Sequence, residues 1–368
     1  MNKRNLTLDI AKMIAMIFIV IGHVIQRSIS SYTTNWISSL MLVIGIPIYF
    51  LISGIAINYR KPISPLGFVY DVIKRAIMYM WPVVFFLLLR VGFYKQWPTF
   101  DKAFSMFIAY PGYGLWVLWL LVWFNAVVDI ALLVSFLLPK YKKLIVSITL
   151  VIAYVIFITL RNNNTIPNYH FIAYDYFVIY TPIFFVGLLV GDKAFTYINK
   201  WISLIGIVLG LVGMIIICRF STPFYSSGYH IENNLYISYP ACLCAFMFFY
   251  GVSTLLSKAK VGEVIGFMGQ FTLECYFLHL VLLKNWGSIN TGNNVSTVFA
   301  AIAMVILCLG NTILVVVATY FLPFTHFLLF GRHFSYYSFE NKMWDKLKEV
   351  STKDYFHKSS NNINNITQ

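Results

Sequence analysis

The sequence predicts an all-α fold, a polytopic membrane helix bundle with about ten transmembrane helices and both termini cytoplasmic. Three observations carry that expectation. Of 368 residues, 60% are hydrophobic and 11% charged, with mean hydropathy +0.76, whereas a soluble domain is near half apolar and a quarter charged. The apolar residues gather in runs of about 17 to 25, the length that crosses bilayer hydrocarbon as a helix, with short polar connectors between them. The net charge of +14, from 27 Lys+Arg against 13 Asp+Glu, sits in short loops and a polar tail. No basic, aromatic-interleaved domain stands outside the runs, so the surplus reads as topology and not as a nucleic-acid surface.

In chain order the runs cover 8–26, 36–58, 72–94, 114–138, 143–160, 171–191, 201–218, 235–256, 264–286 and 296–322. Lys3 and Arg4 precede the first, in the manner of a signal peptide, but no small-x-small site follows Val24-Ile25-Gln26-Arg27, so it reads as an uncleaved span. The second ends Tyr49-Phe50-Leu51-Ile52-Ser53-Gly54-Ile55, where a small polar residue and a glycine permit close helix approach. Lys74 and Arg75 enter the third. Segment 104–113, containing Ala109-Tyr110-Pro111-Gly112, is too short to span and reads as re-entrant or interfacial. The fourth opens on Leu115-Trp116, and the ninth holds Thr272-Leu273-Glu274-Cys275-Tyr276-Phe277-Leu278-His279. Residues 1–330 form the expected membrane domain and 331–368 a polar cytoplasmic tail, partly disordered by its composition.

Direction follows from the basic residues. With the N-terminus inside, 19 face inward (Lys3 and Arg4, the 60–75 and 140–143 connectors, Lys193, Lys200, Lys258, Lys260 and the tail) and seven outward: Arg27, Arg90, Lys95, Lys102, Arg161, Arg219 and Lys284. The positive-inside rule therefore places both termini in the cytoplasm. The five cysteines all lie in apolar runs, without CxxC spacing or paired histidines, and read as small buried hydrophobes.

A charge at bilayer depth costs a few kcal/mol, so each ionisable group inside a run is a functional candidate. In the first run Lys12 and His23 are eleven residues apart, about 20° in azimuth and roughly 16 Å in rise, which places a cation and an imidazole on one helix face. Asp9 and Lys12, three apart, are spaced to pair. Snorkelling of Lys12 and an interhelical hydrogen bond from His23 are the plainer readings of each alone. In the ninth run Glu274 and His279 are about 140° apart and do not share a face, whereas Tyr276 and His279 do. No Glu-x-x-His pair lies on one face, so no metal site is expected. Packing also explains Ser53, and topology alone explains Lys74 and Arg75, which otherwise suit phosphates of a soluble donor or lipid headgroups. Asp129 and Asp175 receive no chemical account.

In this order the pieces resemble acyltransferase family 3, integral-membrane O-acyltransferases that modify bacterial surface glycans and other acceptors. The residues that carry the resemblance are Leu8-Asp9-Ile10-Ala11-Lys12 followed after ten residues by Gly22-His23, then Pro47-Ile48-Tyr49-Phe50-Leu51-Ile52-Ser53-Gly54, Lys74-Arg75, Leu115-Trp116-x-Leu118 and Thr272 to His279, over about residues 6 to 325. One departure is Lys12, where the family usually has Arg: the charge is kept but the bidentate fork is lost.

Acyl transfer from a thioester to a hydroxyl needs a base, oxyanion donors and a grip on the donor. His23 is the best base in the chain and is equally suited to carry the acyl group itself. Lys12, Lys74 and Arg75, on the inner side, suit the phosphates of acetyl-CoA as co-substrate. Glu274, if it faces His23, suits orientation of the imidazole. Asp9, Ser53, Trp116, Tyr276 and His279 are supporting candidates. The resemblance implies an extracytoplasmic glycan acceptor, with outward aromatics Trp97, Tyr110, Tyr113 and Tyr169 able to stack on sugars or to form an interfacial belt. No bound cofactor is expected, and the partners are acetyl-CoA, the glycan and membrane lipid. The rival readings are a multispan transporter or flippase of a polysaccharide or lipid-linked precursor, and an assembly factor without chemistry.

Overall fold

A computed structural model describes residues 5–28, 36–94, 115–163, 171–191, 200–220, 235–285 and 294–330. Within them the regular structure is helical throughout. The helices are α1 (Leu6–Ser28), α2 (Trp36–Ile57), α3 (Pro65–Tyr94), α4 (Leu115–Val134), α5 (Lys142–Asn162), α6 (Tyr174–Val190), α7 (Lys200–Phe220), α8 (Leu235–Leu256), α9 (Lys260–Met268), α10 (Thr272–Asn285), α11 (Asn294–Tyr320) and α12 (Pro323–Phe330). The protein is an all-α membrane bundle. Exposed Ile, Leu and Val side chains on α5, α7 and α11 leave an apolar outer surface suited to lipid tails.

Each apolar run of the sequence carries helix, but not every run is one continuous, wholly apolar rod. Among the described residues six segments are long and apolar enough to cross a membrane: Leu6–Ile25, Trp116–Val134, Pro139–Asn162, Lys200–Arg219, Tyr239–Leu256 and Val298–Tyr320. Helix α3 begins seven residues before its apolar run and carries Asp71, Lys74 and Arg75 in its N-terminal half. The ninth run is broken: α9 ends at Met268, one 3₁₀ turn spans Gly269–Phe271, and α10 resumes at Thr272. Segment 104–113, the tail and the outward aromatics Trp97, Tyr110, Tyr113 and Tyr169 lie outside the described residues.

The chain divides into two compact units, one formed by Met1–Tyr59 with Ile179–Ala318, the other by Arg60–Val178 with Thr319–Gln368. In the first unit α1 packs on α2, α8, α9 and α10, and α7 packs on α8. Glycines set how closely these helices approach, because a missing Cβ lets backbones touch. A Cβ on Gly54 would lie 2.0 Å from the Phe184 carbonyl oxygen, and one on Gly187 would lie 2.0 Å from that of Leu51, so α2 and α6 cross glycine to glycine. The same relation holds at the 3₁₀ turn, where a Cβ on Gly269 would meet the Asp9 carbonyl oxygen at 1.9 Å. The break between α9 and α10 is thereby seated on the first turn of α1. In the second unit α4 packs on α3 and α5, with Trp116 stacked on Tyr176 at 4.3 Å between ring centroids.

Candidate functional site

Helix α1 positions the first group of candidates. Its buried stripe, Ile10, Ala11, Met13, Ala15, Met16, Ile19, Val20 and Val24, turns inward. Asp9 and Lys12 sit one turn apart at its start, and Lys12 Nζ lies 3.5 Å from Asp9 Oδ1. The Asp9 side chain is 5% exposed and that of Lys12 24% exposed, so the carboxylate is held inside while the ammonium reaches out. His23 follows near the far end of the helix and is half-buried.

Helix α10 supplies the second group. Leu273, Cys275, Phe277 and Leu283 bury it, and Glu274 and His279 are buried with them, at 1% and 0% exposure. The His279 ring comes within 5.3 Å of the His23 ring, centroid to centroid, and within 5.4 Å of the Tyr276 ring. Two histidines 256 positions apart in sequence thus share one place in the first unit. The His279 Nδ1 stands 3.1 Å from the Cys275 carbonyl oxygen on its own helix. Its Nε2 is buried with no hydrogen-bond partner among the described residues.

The remaining candidates divide by role. The Ser53 hydroxyl donates to the Tyr49 carbonyl at 2.8 Å, one turn back along α2, so here it serves its own helix beside the Gly54 crossing. Trp116 is buried against Tyr176. In the second unit Lys74 is exposed, with Nζ 5.3 Å over the Tyr70 ring, while its neighbour Arg75 turns the other way.

Arg75 belongs to a polar network that the sequence did not announce. Its guanidinium reaches Asp71 at 3.2 Å, Asp129 at 3.1 Å and the Asn125 side-chain carbonyl, and Asn125 donates to the Tyr79 hydroxyl at 3.2 Å. Arg60 completes it, bridging Asp71 at 3.2 Å and pairing with Asp129, while Lys142 donates to the Arg60 carbonyl at 2.8 Å. Two cations thus face two carboxylates, which accounts for the 1% exposed Asp129. The i, i+4 spacing of Asp71 and Arg75 was visible in the sequence. The contribution of Asp129, on another helix, was not.

Over residues 5–320 the chain matches the acyltransferase family 3 sequence pattern, described as an acyltransferase domain. The chain belongs to acyltransferase family 3. None of the curated proteins or solved structures compared with it matches. Membership makes the protein a membrane acyltransferase, and the matched segment takes in α1 to α11, hence both histidines, Glu274 and the Arg60–Arg75 network.

Proposed function

We propose that this family 3 acyltransferase is an O-acetyltransferase of the plasma membrane, moving an acetyl group from cytoplasmic acetyl-CoA to a hydroxyl of an extracytoplasmic capsular, exopolysaccharide or lipopolysaccharide glycan. The observation that carries the reading is the half-buried His23 on a helix long and apolar enough to cross a membrane, which also bears Lys12 toward its start. A neutral imidazole there can take the hydroxyl proton or carry the acyl group between donor and acceptor. Lys12, on α1, is the charge expected to meet donor phosphates, and Lys74, exposed on α3, is a further candidate by its charge alone. Arg75, tied to Asp71, Asp129 and Asn125, is expected to hold that helix in place as it contributes charge. Glu274, buried on α10 about 140° from His279, is expected to serve the site from another face of that helix.

The decisive experiment incubates membranes containing the protein with radiolabelled acetyl-CoA and purified unmodified glycan. Label in alkali-labile ester on the glycan, dependent on His23, is the expected outcome. Glycan that crosses the membrane without gaining label would replace this reading with the transporter one.

A further inference from the structure

We infer that His279 is a positioning residue for His23, accepting a hydrogen bond from its ring N–H and so fixing which nitrogen of His23 faces the substrates. This rests on the acetyl-transfer reading for its chemical purpose but not for its geometry. A carbonyl oxygen can only accept, so the contact of His279 Nδ1 with the Cys275 carbonyl puts the ring proton on Nδ1 and leaves the lone pair on Nε2. That lone pair is the buried atom with no partner among the described residues, and buried acceptors are rarely left so without a purpose. His279 is wholly buried whereas His23 is half-buried, so His279 acts through its neighbour and not on substrate.

The spacing fits. Two imidazoles joined by one N–H···N bond of about 2.9 Å have ring centroids about 5 Å apart, and those of His23 and His279 are 5.3 Å apart. The rings are tilted by 33°, so the proposed bond requires a rotation of the half-buried His23 ring that turns its N–H onto the lone pair. Glu274, about 140° round α10 from His279, leaves this face to the histidine and Tyr276.

During transfer the O–H bond of the acceptor breaks as its oxygen bonds to the acetyl carbon. The proton goes to the outward nitrogen of His23, and then to the thiolate sulfur released when the C–S bond breaks, giving ester and free thiol. His279 holds the opposite N–H of His23 throughout and shares the charge of the transient imidazolium.

Two substitutions separate this from a structural role. His279→Asn retains an amide N–H where Nδ1 meets the Cys275 carbonyl and deletes the acceptor, whereas His279→Gln places an amide oxygen near the Nε2 position. In detergent-purified protein, the rate of diethyl pyrocarbonate modification of His23, read by peptide mass spectrometry, should fall about tenfold or more in His279→Asn and recover to within about threefold of wild type in His279→Gln. With acetyl-CoA, kcat should fall roughly 10–100-fold in His279→Asn with KM within about twofold, and recover in His279→Gln. Equal labelling of His23 in wild type and His279→Asn, or equal losses in both variants, overturns the proposal. The stated labelling pattern without transfer from acetyl-CoA by wild type would leave the pair standing and remove the proposed function. Should His279→Asn not fold, the ¹⁵N spectrum of histidine-labelled wild-type protein decides: a His279 ring protonated at Nε2 overturns the pairing.

Discussion

At the scale of single residues, the proposed chemistry concentrates on His23, and its removal should cost most. His23→Ala is expected to lower acetyl transfer to surface glycan by about 10²-fold or more, the usual worth of a positioned base, seen as loss of O-acetyl signals in the polysaccharide NMR spectrum. Wild-type acetylation in that variant would sink the assignment. Lys12 should act on the donor: Lys12→Met is expected to raise KM for acetyl-CoA about tenfold while leaving kcat within about threefold. Lys12→Arg, which keeps the charge and adds a fork, should bind at least as well. A donor KM unchanged by Lys12→Met would remove Lys12 from the donor site.

At the scale of helices, close crossings stabilise the first unit and a buried ion network the second. A Cβ at Gly54 would collide with the Phe184 carbonyl, and one at Gly269 with the Asp9 carbonyl, both backbone atoms that cannot step aside. Gly54→Ala and Gly269→Ala should each therefore cost about 1–3 kcal/mol, measured as a lowered Tm in detergent. Gly310 on α11 is the internal control: a Cβ there meets nothing within 4 Å, so Gly310→Ala should be neutral or should stabilise by roughly 0.5–1 kcal/mol. A Tm for Gly269→Ala matching that of Gly310→Ala would refute the crossing argument. In the second unit, Asp129→Ala leaves Arg60 and Arg75, 20% and 18% exposed, sharing only Asp71. The expected loss is about 3 kcal/mol, because breaking a buried pair strands charge.

At the scale of the whole molecule, the proposed function requires a direction across the bilayer. The basic residues predict it: ten spans with the N-terminus inside would put 19 on the side of the tail and seven on the other. Single cysteines introduced at Ser226 and at Ser351, in a background lacking the five native ones, test it in intact cells with a membrane-impermeant maleimide. Ser226→Cys should label and Ser351→Cys should label only after permeabilisation. The reverse pattern would place the tail outside and separate the proposed acetyl-CoA site from its cytoplasmic donor.

The sequence by itself determined the fold class, the places of the apolar runs and the family, because bilayer length, scarcity of charge and ordered short motifs are local properties of a chain. It also showed the Asp9–Lys12 spacing, which a single helix turn realises. The tertiary structure decided what lies across helices. It brought His279 beside His23, joined Asp129 to Arg60 and Arg75, and broke the ninth run at Gly269–Phe271 where that turn sits on Asp9. Hydropathy registers how apolar a stretch is and not which face meets a partner. Partners 54 to 256 residues apart, as Arg75 is from Asp129 and His23 from His279, become neighbours only through packing.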